Sequence, residues 1–295
     1  MWQQLEPLLP GLSIEVLARV ESTNSLLLER ARVANTRSGP TAAADAPDSG
    51  FGRRAIDARP CLLVAEQQTL GRGRLGRRWH SEAGASLTFS LSLPMATQEW
   101  SGLSLAVGVM LADALDPPRQ SVARTAEVPR SNIESFDPPR IGLKWPNDLW
   151  LADGSDRKIG GILIETVPMG SQRLVVIGIG LNLSPQPQAP ESACLQDVDI
   201  GLDAPGCLAK LAPPLVLALR QFEREGFAPF AARFAARDVL RGRVVTTTSP
   251  EVPGGVAAGV TPRGELCVRA GDTQHLLSSG EISVRPAPAD RGEGR

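Results

Sequence analysis

The chain has 295 residues, enough for two domains of roughly 150 residues each, and its 42% hydrophobic and 21% charged content excludes disorder over the whole length. With 31 Lys+Arg against 32 Asp+Glu the formal charge is -1, so a net-basic nucleic-acid binder is not indicated and any anion site has to be a local cluster. Cys61, Cys194, Cys207 and Cys267 are scattered, form no C-x-x-C pair, and stand beside only two histidines, His80 and His275. Neither a zinc site nor a disulfide framework is read from them; reduced thiols acting as small core hydrophobes fit better. Tyrosine is absent. The first residues, MWQQLEPLLPG, lack a basic segment followed by an apolar one, and no apolar run approaches the ~18 residues of a membrane span. A soluble, cytoplasmic protein is expected.

Residues 12–20 alternate apolar side chains (Leu12, Ile14, Val16, Ala18, Val20), the period of a half-buried strand. Ser22, Thr23 or Asn24 can cap the helix that Leu26, Leu27 and Leu28 lead and that fades near Ala34. Residues 35–59, rich in Ala, Gly, Pro, Ser and Asp, read as a surface insertion, partly disordered, and residues 117–140, with five prolines, as a second. Residues 61–65 and 87–93 read as strands, and 101–115 as a helix. Residues 141–144 and 149–151 are short strands, Asp153-Gly154 is a turn, and 159–167 and 174–183 suit central strands. Pro213-Pro214 suits the first turn of a helix with Leu215, Leu219 and Phe222 as its stripe, ending near Gly226, and a second helix spans 228 to 237. Beyond Arg241, β-prone runs at 244–248, 256–260, 266–269 and 282–285 alternate with glycine turns, the texture of a small all-β barrel. A domain boundary falls near residue 240.

The sharpest local feature is Gly71-Arg72-Gly73-Arg74-Leu75-Gly76-Arg77-Arg78, followed by Trp79, with no acid from Gln67 to Ser81. Glycines let a backbone bend around a ligand, arginines fork onto phosphate or carboxylate, and Trp79 offers a stacking face. The segment reads as a mobile loop closing over a polyanion. Three other readings stand beside it. The string satisfies G-x-G-x-x-G, but that fingerprint needs a helix next and the following segment is strand-like. An RGG-type RNA segment normally repeats, and this one occurs once. A merely solvated loop sits poorly with so many arginines and no acids.

Further along, Lys144-Trp145-Pro146-Asn147-Asp148 puts a cation, an amide and a carboxylate at a break that Pro146 forces between strands. Alone, Asn-Asp after Pro is an ordinary turn. Lys158 opens an apolar strand in which Gly160-Gly161 admits a close ligand approach, though a lone lysine there is commonly just solvated. Asn182, in the strand VIGIGLNL with Gly178 and Gly180, needs partners if buried.

Taken in order, Glu21-Ser-Thr-Asn, Gln67-Gln68, the 71–77 loop, Trp79, Lys144-Trp-Pro-Asn-Asp, Lys158-Ile-Gly-Gly-Ile-Leu, Gly178-Ile-Gly-Leu-Asn and Gly280-Glu-Ile-Ser closely resemble the signatures of biotin–protein ligases, from Val20 to Arg285 apart from the two insertions. The resemblance implies an α+β catalytic domain over 1–239, with a mixed, mainly antiparallel sheet and helices of the class II synthetase and biotin-ligase kind. It also implies a small C-terminal SH3-like β-barrel over 240–286 and a flexible tail, 287–295. It implies that biotin and ATP form biotinyl-5′-AMP and that a lysine of a biotin carboxyl carrier protein, of acetyl-CoA carboxylase or a similar carboxylase, then takes the biotin. Carried over by position, Ser22, Thr23, Asn24, Gln68, Gly71, Arg72, Arg74, Lys158 and Gly161 would hold biotin. Arg72, Arg74, Arg77, Trp79, Asn147, Lys158 and Asn182 would hold ATP or the adenylate. Lys158, Arg74 and Asp148 would carry the chemistry, Asp148 either assisting the incoming lysine or only orienting its neighbours. Mg²⁺ is implied by ATP and would be held mainly by phosphates, with no metal site of the protein's own. Some family members repress transcription through an N-terminal helix-turn-helix; about 20 residues precede Glu21 here, so a monofunctional ligase that does not bind DNA is expected, with a homodimer left open. A lipoate- or octanoate-handling transferase of the same superfamily is the nearest alternative, and a non-catalytic nucleic-acid-binding protein a more distant one.

Overall fold

The computed structural model describes residues 2–37, 59–97, 99–118, 137–169, 172–199, 201–280 and 282–287; the bulk of both expected insertions, 38–58 and 119–136, and the tail residues 288–295 lie outside them. A short helix α1 (Trp2–Leu5) leads to strand β1 (Ser13–Val20). The alternation expected for β1 is only partly met. Ile14 packs on the main core, but Val16 is 65% exposed and Ala18 is exposed, while Leu17 packs on a smaller cluster on the opposite face. β1 is an edge strand with one neighbour, so part of its width runs past the elements that cover the sheet. Helix α2 (Thr23–Arg37) begins where the Ser25 N–H donates to Ser22 Oγ at 3.4 Å, a capping contact, and continues three residues beyond Ala34.

Strand β2 (Cys61–Gln68) and the two-residue strands β3 (Gly71–Arg72) and β4 (Arg78–Trp79) precede β5 (Ser86–Met95). Helix α3 (Leu103–Leu115), β6 (Ile141–Lys144), β7 (Asp148–Leu151), β8 (Lys158–Met169) and β9 (Gln172–Asn182) follow. Seven of these strands form one sheet in the order β1-β2-β5-β9-β8-β7-β6, with β1/β2 parallel and every other pair antiparallel. The sheet is mixed and mainly antiparallel, and β9 lies at its centre.

Period two assigns the faces. Leu87, Phe89, Leu91 and Leu93 of β5 and Val175, Ile177, Ile179 and Leu181 of β9 join one large core, in which α3 and helix α4 (Ala204–Glu225) also pack. The other face carries a smaller cluster of Leu27, Leu28 and Ala31 of α2 with Leu63, Leu174 and Val176. α4 does not start at Pro213-Pro214 as expected. It starts nine residues earlier, where the Asp203 side chain accepts the Gly206 N–H at 2.7 Å, and both prolines sit inside it. An interior proline frees the carbonyl four residues back. Here those belong to Ala209 and Lys210, on the exposed face where water can serve them. The stripe of Leu215, Leu219 and Phe222 is buried, and Gly226 ends the helix at φ 68.

After helix α5 (Ala231–Ala235), a second sheet contains β10 (Val244–Thr247), β11 (Gly254–Val260), β12 (Leu266–Ala270), β13 (Thr273–Leu277) and β14 (Val284–Pro286). Its order is β13-β12-β11-β10-β14, antiparallel throughout. β13 escaped the sequence reading because TQHLL (Thr273, Gln274, His275, Leu276, Leu277) is mostly polar and exposed. Val245, Leu266, Val268 and Val284 continue the main core, so the two sheets share one apolar interior. The junction also carries a bidentate Arg243–Asp156 pair at 2.6 and 2.7 Å and a Trp145 Nε1 bond to the Gly264 carbonyl at 3.1 Å.

At that junction the backbone of Leu143 pairs with residues 237–239, donating to the Arg237 carbonyl at 2.7 Å and accepting from Val239 N–H at 3.1 Å. Between them Asp238 accepts Leu240 N–H on Oδ1, while its buried Oδ2 has no partner among the described residues. Burial pushes the Asp238 carboxyl up to about 6, against the pull of the Leu240 N–H and Arg241. An unfolded Asp titrates near ~3.9, so the folded state holds the extra proton in the window between and stability falls as pH rises through it. Asp238→Asn should therefore raise stability in urea titrations at neutral pH by on the order of 2 kcal/mol, and most of that gain should vanish near pH ~4. An equal gain at both pH values would mean that charge is not the cause.

Candidate active site

A cavity opens on the α2 face of the sheet, and its floor is bare. Along β9 the residues on this face run Leu174, Val176, Gly178, Gly180, so side chains give way to hydrogen where the cavity begins. Across the β8/β9 pair Gly161 faces Gly180 and Leu163 faces Gly178. The space above these glycines is already used: a Cβ on Gly178 would lie 2.3 Å from Asn24 Oδ1, and one on Gly180 2.5 Å from the Trp79 indole.

The start of α2 forms one wall. Gln68 Oε1 accepts both the Thr23 N–H at 2.7 Å and the Thr23 hydroxyl at 3.2 Å. Ser90 Oγ, on the polar side of the LTFSLSL alternation, lies 2.6 Å from Thr23 Oγ1 and from Asn24 Oδ1. Asn24 Nδ2 donates to the Leu163 carbonyl at 3.2 Å and to Glu165 Oε2 at 3.0 Å.

The arginine loop forms the opposite side. β3 pairs with β4 so that Gly71 faces Trp79, and a Cβ on Gly71 would lie 2.4 Å from the Trp79 carbonyl oxygen. Leu75 and Gly76 turn the chain at φ 56 and 71. Arg72 Nη2 donates to Glu165 Oε1 at 3.0 Å and Arg78 Nη2 to the Thr69 carbonyl at 3.0 Å. Arg74 reaches the second sheet, donating to the carbonyls of Ser279, Gly280 and Ile282, and Nη1 touches Asn147 Oδ1 at 3.4 Å. Arg77 Nη2 donates to Ser283 Oγ at 3.0 Å. The loop is therefore seated on the segment between β13 and β14, Arg74 by backbone carbonyls and Arg77 by the Ser283 hydroxyl.

At the far end Asp148 stands between two ammonium groups, with Lys158 Nζ 2.6 Å from Oδ1 and Lys144 Nζ 3.7 Å from Oδ2. Lys144 is only 7% exposed and lies 5.3 Å from the Trp150 ring centroid. Burial lowers its pKa, with Lys158 and Arg77 adding to the effect and Asp148 opposing it. A cis Trp145–Pro146 bond breaks the strand between Lys144 and Asp148, and Asn147 is fixed by exchange with Ile162, Nδ2 to its carbonyl at 2.8 Å and carbonyl to its N–H at 3.0 Å. Trp79 lies over Gly180 with Lys158 Nζ 5.9 Å from its ring, and its buried Nε1 has no partner among the described residues.

Of the residues to which the resemblance gives a binding or catalytic role, all but Gly71 and Asn182 line the cavity. Gly71 lies behind it, where only hydrogen fits against Trp79. Asn182 is buried beyond its end: Nδ2 donates to the Ala193 carbonyl at 3.0 Å, and the Ala193 N–H in turn donates to the Lys158 carbonyl at 3.0 Å. Its partners are thus supplied by the fold. Sequence reasoning left Lys144, Ser90, Glu165 and Ser283 without a role. Strand alternation could have found two of them, since Ser90 and Glu165 share a face with Gly178 and Gly161. Among the described residues, six cations (Arg72, Arg74, Arg77, Arg78, Lys144 and Lys158) and one acid, Asp148, line the cavity.

A profile of the Biotin/lipoate A/B protein ligase family matches residues 58–182. The chain is 31% identical over 289 residues to the bifunctional ligase/repressor BirA of Escherichia coli strain K12, covering 95% of this chain and 76% of that protein. It is 32% identical over 280 residues to the biotin--[acetyl-CoA-carboxylase] ligase of Mycobacterium tuberculosis, covering 91% of this chain and 88% of the other. The solved biotin protein ligase from Aquifex aeolicus in complex with biotin and ATP has the same fold, with a TM-score of 0.64 at 23% identity over 94% of this chain and 100% of that one.

The close seat of Trp79 on Gly180 can be checked directly. Gly180→Ala should push the indole out, reddening the tryptophan emission, and the same substitution in a Trp79→Phe background should leave the emission unmoved. A shift in both backgrounds would place the displaced tryptophan elsewhere.

Proposed function

Because this chain belongs to the biotin/lipoate A/B protein ligase family, we propose that its cavity performs the two half-reactions of a biotin–protein ligase. The enzyme first joins biotin to ATP. A biotin carboxylate oxygen attacks the α-phosphorus, the bond to the β-phosphate oxygen breaks, and pyrophosphate leaves with that electron pair. The amine of a lysine on a biotin carboxyl carrier protein then attacks the carbonyl carbon of biotinyl-5′-AMP, and AMP departs as the amide forms.

The observation that carries this reading is the cavity's charge: six cations against one carboxylate, in a protein whose net charge is -1. Joining two anions needs fixed positive charge where negative charge builds up in the transition state. Lys158 is assigned to the space between carboxylate and α-phosphate, Arg72, held at the α2 wall by Glu165 and Ser25, to the biotin side of that space, and Arg74 and Arg77 to the phosphate side. Asp148 is already committed to Lys158 and Lys144, so its assigned role is to aim those ammonium groups. The polar wall of Ser22, Thr23, Asn24 and Gln68 suits a ureido ring, which both donates and accepts; a fatty chain has no group to exchange hydrogen bonds with it. Trp79, with its unpartnered Nε1, is assigned to the adenine side, with Asn147 next to it.

Among the described residues no group of three His, Cys, Asp or Glu side chains could hold a metal ion. Mg²⁺ bound to ATP phosphates fits this donor set, and when present it neutralises phosphate charge. We further assign residues 240–286 to an SH3-like C-terminal domain following a catalytic domain of 1–239, and an acetyl-CoA carboxylase or similar carboxylase as the source of the carrier. No described helix is long and apolar enough to cross a membrane.

ATP–pyrophosphate exchange should appear with biotin and not with lipoate. Exchange with lipoate alone would move the protein to the sister activity. Lys158→Ala should lower biotin-dependent exchange by on the order of 10²–10³-fold while the protein stays folded. Undiminished exchange in that variant would remove Lys158 from the chemistry.

A further inference from the structure

We infer that Glu165 is a positioning residue for biotin capture, a single carboxylate that ties the α2 wall of the cavity to the arginine loop. The inference rests on the biotin-activating reading above. Glu165 sits on β8 four residues after Gly161, on the same face, with its side chain 23% exposed. It is not among the residues lining the cavity, so it acts through others.

Its two oxygens serve different elements. Oε2 accepts Asn24 Nδ2 at 3.0 Å, and Oε1 accepts Arg72 Nη2 at 3.0 Å. The Asn24 amide is fixed at both ends, because Nδ2 faces this carboxylate and the Leu163 carbonyl while Oδ1 faces the Ser90 hydroxyl. Reversing the amide would turn its oxygen onto two acceptors, the Leu163 carbonyl and the Glu165 carboxylate, which the Ser90 hydroxyl on the other side could not offset. Arg72 lies on a two-residue strand with its side chain about half exposed, and among the described residues Glu165 is its only acidic partner. Its remaining side-chain bond is Nη1 to Ser25 Oγ at 3.3 Å. Without Glu165, the cation has little to keep it over the cavity, and Asn24 loses the charged acceptor that sets its orientation. Such pre-placement lowers the cost of ordering a site when the ligand arrives.

Glu165→Gln is the discriminating change. It keeps the shape, but its amide offers one acceptor and one donor where two acceptors are needed, so one of the two contacts must become donor against donor. In biotin-dependent ATP–pyrophosphate exchange, E165Q should raise KM for biotin by about tenfold. Both kcat at saturating biotin and KM for ATP should change less than about threefold on this account. E165D, which keeps the charge one methylene back, should recover part of the loss. Because the two residues share a contact, E165Q should add less in an Arg72→Ala background than in the wild type. Thermal unfolding of each variant reports on folding, and E165D reads the same KM should E165Q fail to fold. An unchanged or lowered KM for biotin, equal losses in kcat and both KM values, or full additivity with Arg72→Ala would overturn the inference. Wild-type protein without biotin-dependent exchange would overturn the functional reading, and this inference with it.

Discussion

Strand β9 has Val175, Ile177, Ile179 and Leu181 on one face and, on the other, Leu174 and Val176 giving way to Gly178 and Gly180. One face must be filled, because it anchors α3 and α4 to the sheet. The other must be emptied, because Asn24 and Trp79 lie where a methyl group would go. Both demands act on consecutive residues of one central strand, and the pleat alone separates them. A slip of one residue in the pairing of β9 would point the large side chains into the cavity and leave holes in the core. The site is therefore as rigidly specified as the hydrophobic interior that backs it.

The charge distribution has the same economy. The chain is near neutral, yet cations gather around the cavity, while many acids are spent in pairs elsewhere, such as Glu15 with Arg30, Asp156 with Arg243 and Glu99 with Arg263. Asp116 shows how such pairs also build the scaffold. Burial works to raise its carboxyl, but the N–H groups of Ile141 and Arg140 and the Arg237 guanidinium outweigh that and hold it below its ordinary value. That cluster joins the end of α3 to the start of β6 and to the chain following α5. Among the described residues, the cationic cavity is left with Asp148 as its one lining counter-charge.

Much of this was legible in the residues. The glycine and arginine run, the Lys144–Asp148 turn and the strand opened by Lys158 stand out because loops and strand ends carry their chemistry in adjacent positions. What was not legible depends on folding distant segments together. Nothing near Arg74 indicates that the carbonyls after β13 receive it, and nothing near Glu165 indicates that Asn24, 141 residues away, is its partner. Local rules also misled where tertiary packing overrode them. Pro213-Pro214 looked like a helix start because prolines disrupt helix interiors, yet α4 tolerates both by turning the freed carbonyls to solvent. Val16 looked buried by alternation, yet β1 has a neighbour on one side only. Asn182 was expected to need partners if buried, and the Ala193 carbonyl supplies one.

The seating of Arg74 on the carbonyls of Ser279, Gly280 and Ile282 has a consequence for how this protein can vary. Main-chain oxygens are supplied by every residue type, so the identities of the side chains at these positions are only loosely constrained by the contact. The span of chain is constrained instead. Adding or removing one residue between β13 and β14 would displace the acceptors by about 3.8 Å, more than the length of the hydrogen bonds themselves. The connection therefore acts as a ruler, tolerant of spelling and intolerant of length, that sets how far the arginine loop stands from the second sheet.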